Sequence, residues 1–362
     1  MKLDQVQLTN FRNVSQARLN PSKSLSVITG VNGSGKSSIL ESIYYLGFGR
    51  SFRTQKYQSA INHNSDAFSV FAKGTKEDGG QVSVGIERSR SDQFLCSING
   101  THSNRLADLV SLIPVQLFTP QSTDLVIGSP SERRRFIDWG VFHVEHSFQT
   151  LFVQFNKLLK QRNALLKQGA SLRAAHNHFW EQQYILAGNR LCEYRNAYTE
   201  ALTPIFNRIS SEFLPEFSVE ISYYRGWEKG LTLGEVLEKK YEYDAKVGHT
   251  SVGPHKADLK FRIDGVNAQE ILSRGQLRMA VAALQLAQTE LFTLQTSRKG
   301  IFLLDDVGAE LDLEKRERFI DGLLLMDTQV FVTAIEKQQL SFINKYNDRR
   351  MFHVEHGHVT EE

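Results

Sequence analysis

Apolar positions along this chain recur at two spacings, and the spacing changes twice. Up to about Phe118 they alternate with polar positions or run in short blocks, which predicts strands over Lys2 to Leu8, Ser24 to Thr29, Ala67 to Lys73, Gly80 to Arg88 and Gln93 to Ile98. One helix interrupts them, because Ile39, Leu40, Ile43 and Leu46 are spaced for a single helical face. From Ser131 to Glu216 the period is helical, in two long segments, Ser131 to Lys167 and Leu172 to Phe213, parted by Gln168-Gly169-Ala170-Ser171. Two helices of ~35 to 40 residues would each reach on the order of 50 to 60 Å, so an antiparallel arm or lobe is the simplest arrangement. A strand over Phe217 to Tyr224, a short helix around Leu233 to Tyr243, the loop Gly248 to His255 and a strand over Asp258 to Ile263 follow. Then come a helix over Arg274 to Gln295, an apolar strand Ile301 to Leu304, a helix Leu313 to Leu325 and a buried strand Gln329 to Thr333. The class is α/β.

Between apolar strand and first helix, Gly30-Val31-Asn32-Gly33-Ser34-Gly35-Lys36-Ser37 is a G-x-x-x-x-G-K-[ST] phosphate loop, followed by Ser38. Glycines let backbone N–H groups turn inward around phosphates. Lys36 reaches the terminal phosphates, Ser37 holds Mg²⁺, and the helix N-terminus adds partial positive charge. Nearer the other end, Ile301-Phe302-Leu303-Leu304-Asp305-Asp306 is an apolar strand closing in two acids. A carboxylate there lies beside the phosphate loop, so Asp305 is expected to bind Mg²⁺ and Asp306 to orient or deprotonate the attacking water. Both chain ends therefore build one ATP-binding domain, as residues 1–130 and 246–362, with a helical lobe over 131–245 inserted between them.

Composition narrows the setting without adding chemistry. The chain has 362 residues, 41% hydrophobic and 23% charged, and no apolar run near the roughly 18 residues that span a bilayer. A cytoplasmic protein without membrane contact is expected. Cys96 and Cys192 stand alone, which points to neither a disulfide framework nor a zinc site. The net charge of +3 permits nucleic-acid binding without arguing for it, so local clusters carry that case. Arg50 and Arg53 sit on a glycine-containing stretch, and Arg133, Arg134 and Arg135 open a helix, where three cations oppose the macrodipole. A solvated face is the alternative for each cluster.

Two further motifs fix an order along the chain. Leu272-Ser273-Arg274-Gly275-Gln276 opens the long helix before the acidic strand, and Ala309-Glu310-Leu311-Asp312 follows that strand. This order resembles the ABC-type ATPases, and the split by an inserted helical segment resembles their SMC-like branch. The short insert without sustained heptads separates the chain from true SMC proteins. Gly47-Phe48-Gly49-Arg50-Ser51-Phe52-Arg53, Pro130 to Asp138 and Gly253-Pro254-His255-Lys256-Ala257-Asp258 narrow the resemblance to bacterial DNA-repair and recombination mediators of that branch.

The resemblance implies an ABC-type head completed in trans, with ATP held between the phosphate loop of one protomer and Ser273 and Gly275 of the other, Arg274 and Gln276 beside them. It implies an ATP-dependent homodimer that binds double-stranded and gapped DNA, works with RecO and RecR to load RecA, and turns over ATP slowly, since Asp306 stands where faster relatives carry Glu. It places Arg12, in Leu8-Thr9-Asn10-Phe11-Arg12-Asn13, near the bound phosphates, Thr333 where a switch histidine usually stands, and Asp312 in the loop after the acidic strand. Gln116 and Gln121 compete for the role of the glutamine that senses Mg²⁺ and water, with Gln121 favoured because it follows a strand. A nuclease-driving ATPase, a transport ATPase and a scaffold with a vestigial site are the rival classes. Phe-His-Val-Glu-His occurs at Phe142 to His146 and again at Phe352 to His356. No other ligand pattern supports a metal there, and codons forming the inverted repeat TTCCACGTGGAA offer a gene-level reason for the repeat.

Overall fold

A computed structural model describes residues 1–168, 175–306, 308, 311–335 and 337–362. The chain divides into two compact units, Met1–Ser122 with Arg274–Glu362, and Thr123–Ser273. The inserted unit thus begins before residue 131 and runs past residue 245, because the strands after the helices pair with one another.

In the unit made from both chain ends, one sheet holds β1 (Lys2–Phe11), β2 (Val14–Leu19), β4 (Ala67–Thr75), β5 (Gln81–Ser89), β6 (Phe94–Ile98) and β7 (Thr101–His102), in the order β2-β1-β4-β5-β6-β7. Its pairings are antiparallel, and alternate residues of β4 and β5 are buried, as the period-two pattern requires. The second sheet runs β15-β14-β3-β13-β12-β8, from β3 (Leu25–Thr29), β8 (Val115–Phe118), β12 (Ile301–Leu304), β13 (Gln329–Ala334), β14 (Arg349–Glu355) and β15 (His358–Glu361). From β14 to β8 it is parallel, and β3, β12 and β13 are buried along their whole length. Continuous apolar strands are what a parallel sheet covered on both faces needs.

Helix α1 (Lys36–Phe48) shares one apolar core with strands of both sheets. The sequence predicts a helix with one apolar face; here it is buried nearly all round, including the polar Lys36, Ser38, Glu41 and Ser42. Helix α2 (Leu106–Leu112), the strand β2 and the hairpin β14–β15 are absent from the sequence-based expectations. Helix α9 (Arg274–Thr296) and α10 (Leu313–Leu325) lie where the periodicity puts them, and α9 is buried from Met279 to Thr289.

The inserted unit contains α3 (Asp124–Ile127), α4 (Pro130–Val144), α5 (Phe148–Lys167), α6 (Ala175–Phe213), α7 (Leu233–Val247) and α8 (Ala268–Ile271), with a sheet β11-β10-β9 from β9 (Glu220–Tyr224), β10 (Asp258–Ile263) and β11 (Val266–Asn267). The first predicted helical segment is two helices, since α4 closes at Glu145 in extended backbone and α5 starts after Ser147. Buried ion pairs lock the unit: Arg195 grips Asp138 at 2.7 and 2.9 Å, and Arg162 joins Asp244 at 3.1 Å and Glu181 at 3.3 Å. Among the described residues no helix is long and apolar enough to cross a membrane.

Candidate nucleotide site

The phosphate loop joins β3 to α1, and its glycines hold the conformation only glycine adopts easily. Gly30, Gly33 and Gly35 have φ of 147°, 79° and 123°. At Gly30 a Cβ would come within 2.3 Å of the Val354 carbonyl oxygen, so β14 lies against the loop. The turn after β14 adds a hydrogen bond, with Gly357 N–H donating to the Ser34 carbonyl at 2.8 Å. Asn13 braces the other side, donating to the carbonyls of Gly33 and Ser34 at 3.3 and 3.1 Å and accepting from Ser38 Oγ at 2.9 Å. Val31, Asn32 and Gly33 are exposed, so the loop's crest faces solvent while its base is fixed.

Register brings the acids to the loop. The parallel pairing of β12 with β13 and β8 aligns Leu304 with Val332 and Phe118, so Asp305 emerges at the same strand ends as the loop after β3. Ser37 Oγ donates to Asp305 Oδ1 at 3.0 Å, and Thr333 Oγ1 donates to the same oxygen at 2.9 Å. Thr333 in turn accepts from the Asp306 N–H at 2.8 Å. Asp306 has φ 52°, a left-handed backbone that residues other than glycine seldom adopt, and this hydrogen bond holds it there. Lys36 Nζ folds over the loop and donates to the Gly30 and Val31 carbonyls at 2.7 and 3.0 Å.

Burial sets the electrostatics. It lowers the Lys36 pKa against the opposing pull of Asp305 and Asp306. It raises the Asp305 pKa, despite hydrogen bonds from Thr333 and Ser37, and the Asp306 charge pushes the same way. A buried carboxylate whose close partners are hydroxyls, next to a serine hydroxyl, is an oxygen donor set suited to Mg²⁺. The residues present therefore fit that ion, which Ser37 and Asp305 would hold.

The remaining predicted residues fall into distinct places. Arg12 reaches α1 rather than the loop crest: it donates to both oxygens of the fully buried Glu41, at 3.0 and 2.5 Å, and to the Ser59 carbonyl at 2.6 Å. Ser51 donates to Glu41 and the Arg53 guanidinium lies 3.7 Å from it, while Arg50 is exposed. Gln116 is buried and engaged with Gln288 and Thr289 of α9, whereas Gln121, past the end of β8, is exposed. Asp312 caps α10 by accepting from Lys315 N–H at 2.8 Å; Ala309 and Glu310 lie outside the described residues. Ser273, Arg274 and Gly275 are exposed at the start of α9, with Gln276 half-buried. Among the described residues, no atom beyond its own helix backbone and chain neighbours stands within 4 Å of where a Gly275 Cβ would be.

Arg133 and Arg134 turn into the inserted unit. Arg133 makes two hydrogen bonds to Asp258, at 2.6 and 3.2 Å, and caps the Val126 and Gly128 carbonyls, and Arg134 donates to the Ala257 carbonyl. Arg135 is exposed and paired with Glu132. His255 is also internal: it contacts the Thr250 carbonyl at 2.9 Å, and burial lowers its pKa to about 4. No group of three or more metal-ligating side chains occurs among the described residues. Sequence reasoning missed Asn13 and Glu41 as parts of the site. Their adjacency to Arg12 and position on the loop's own helix were the available signals.

Paired parallel-sheet carboxylates beside a phosphate loop, in a head split by an inserted unit, define an SMC-like ABC-type ATPase. Residues 2–360 match the RecF/RecN/SMC N-terminal domain model. The chain belongs to the RecF family. It is 54% identical, over the full length of both chains, to the DNA replication and repair protein RecF of Pseudoalteromonas atlantica, and 39% identical to that of Shewanella denitrificans over 99% of each. A solved structure of the recombination mediator protein RecF with ATP, from the RecFOR pathway, matches with a TM-score of 0.89 at 26% identity, covering 100% of this chain and 97% of the other. An Smc head domain from Pyrococcus furiosus, bound to the C-terminal domain of ScpA, matches in fold with a TM-score of 0.61 at 16% identity, covering 100% and 96%.

Proposed function

We propose that this chain is an ATP-switched, DNA-binding recombination mediator. The observation that carries the reading is the joining of Ser37, Asp305, Thr333 and the Asp306 backbone in one hydrogen-bonded set behind a glycine loop braced on both sides. In this reading the loop's N–H groups and Lys36 receive the ATP phosphates, Lys36 leaving the Gly30 and Val31 carbonyls to do so. Ser37 and Asp305 would hold Mg²⁺, which would supply charge neutralisation at the terminal phosphates. Asp306 orients the attacking water, and Thr333 fixes the pair of acids. A carboxylate one methylene shorter than glutamate holds water less closely, so turnover is slow and the cycle is a timer rather than a motor.

Ser273 and Gly275 complete the site of a second copy, supported by their exposure at the N-terminus of a 23-residue helix. ATP then joins two chains, and hydrolysis parts them. Closure on double-stranded or gapped DNA, with RecO and RecR as partners and RecA as the protein loaded, in the cytoplasm, follows from the family relationship. Arg50 and Arg53 are the exposed members of the basic clusters beside α1. Sedimentation without nucleotide, with ADP, and with ATP and Mg²⁺, each with and without gapped duplex, tests the switch. A DNA-bound dimer only with ATP is expected; a monomer in every condition overturns it.

A further inference from the structure

We propose that the inserted unit carries a second nucleic-acid site, a groove over the outer face of the β9–β10 sheet that takes a single strand. The proposal rests on the DNA-binding reading above and names where the unpaired strand lies.

In the antiparallel pairing of β9 and β10, Tyr224 stands opposite Asp258, Ser222 opposite Lys260, and Glu220 opposite Arg262. Opposed residues share a face, so Asp258, Lys260, Arg262, Glu220, Ser222 and Tyr224 line the sheet's outer side while Leu259, Phe261 and Ile263 are buried beneath. A cavity of about 800 Å³ takes in Ser222, Tyr224, Lys260 and Arg262 of this face and reaches round the edge strand β9 to Tyr223 and to Asn189 and Asn196 of α6, and a second, of about 420 Å³, lies by β10. Lys260 and Arg262 line both, so the two cavities share a basic wall, and together they make the trough proposed here.

Charge decides what the trough takes. The carboxylates that line the two cavities are engaged, Asp258 by Arg133 and Glu193 by Arg190 at 3.0 Å, which leaves Glu220 as the exposed acid of this face. Lys229, Lys260 and Arg262 have no ion pair among the described residues, Glu220 notwithstanding. The Lys260 ammonium sits 4.5 Å above the Tyr224 ring, which is 36% exposed, whereas Trp227, beneath the Arg225 guanidinium, is buried. Cations beside one partly exposed aromatic ring, Tyr224, are an arrangement that binds an unstacked base with its flanking phosphates. In a duplex the base faces are stacked on one another and cannot reach the ring, so the trough fits a single strand. An acidic peptide would use the cations and leave the ring without a role.

The test measures binding of labelled oligo-dT and of blunt duplex to the full chain, with ATP and Mg²⁺ over a salt series. It compares wild type, K260A/R262A, Tyr224→Ala and the charge-keeping Lys260→Arg. The double variant is expected to weaken oligo-dT binding about tenfold or more, with a salt slope lower by roughly 1.4, about 0.7 for each lost phosphate contact on a single strand. Tyr224→Ala is expected to weaken it at every salt with the slope kept, Lys260→Arg to hold near wild type, and duplex affinity to stay within about twofold, as removal of single-strand contacts requires. Unchanged oligo-dT binding in the double variant overturns the proposal, as does equal loss for duplex. Wild type that binds duplex but not oligo-dT removes the groove and leaves the mediator reading standing; wild type that binds neither removes both. Displacement of polyglutamate but not of oligo-dT by the same substitutions assigns the trough to a protein partner instead.

Discussion

Asp305 is the residue on which the site's electrostatics turn. Its folded pKa is raised above the ordinary 3.8, chiefly by burial. Between those two values the native state holds a proton that the unfolded chain has lost, so stability of the nucleotide-free protein falls as pH rises through that window. Asp305→Asn keeps an oxygen for the Ser37 and Thr333 hydroxyls and removes the buried charge. In thermal melts without nucleotide, this variant is expected to unfold a few degrees above wild type at neutral pH, with the gain vanishing in acid. It should also lose most of the stabilisation by Mg²⁺ and ATP, which for a ligand at a hundredfold excess over its dissociation constant is about 2.7 kcal/mol. A lower melting temperature than wild type would mean that the carboxylate is structural.

At the scale of elements, two helix starts with similar-looking charge do different work. Helix α4 begins with three arginines, but Arg133 holds α4 to β10 through Asp258 and two carbonyls. Arg133→Ala is therefore expected to cost about 2–3 kcal/mol in denaturant unfolding, less than a fully buried pair, and Arg135→Ala within about 0.5 kcal/mol of nothing. Equal small effects would return Arg133 to the list of surface contacts. Helix α9 begins with Ser273, Arg274 and Gly275 in the open. A bulky Ser273→Arg should leave ATP binding by the monomer unchanged in equilibrium titration and abolish the ATP-dependent dimer in sedimentation. If it instead weakened monomer binding, Ser273 would belong to the chain's own site.

For the whole molecule, the proposed completion of the site by a second copy makes activity depend on concentration. ATPase rate per chain is expected to rise with protein concentration until dimerisation saturates, and to stay flat for Ser273→Arg. A rate per chain constant at all concentrations in wild type contradicts completion in trans. The N-terminal and C-terminal stretches form one unit because β3, from the first, pairs with β13 and β14, from the last. The nucleotide site therefore exists only when residues separated by nearly the full chain have met, and slow, nonlocal pairing is expected to govern its formation.

The sequence by itself determined the phosphate loop, the acidic strand and the start of α9, because each is a local signal: fixed spacing of glycines, a buried apolar run, a change of period. It also carried the α/β class and the split by an insert. Tertiary structure alone decided which charges are free. Arg133 and Arg50 look alike in a basic cluster, yet one has a carboxylate partner 125 residues away in the chain and the other is exposed. The same holds for Glu41, buried under Arg12, for Asn13 against the loop, and for the brace from Gly357 to Ser34. Ion pairs and braces of this kind are set by which surfaces meet on folding, and no periodicity records that meeting.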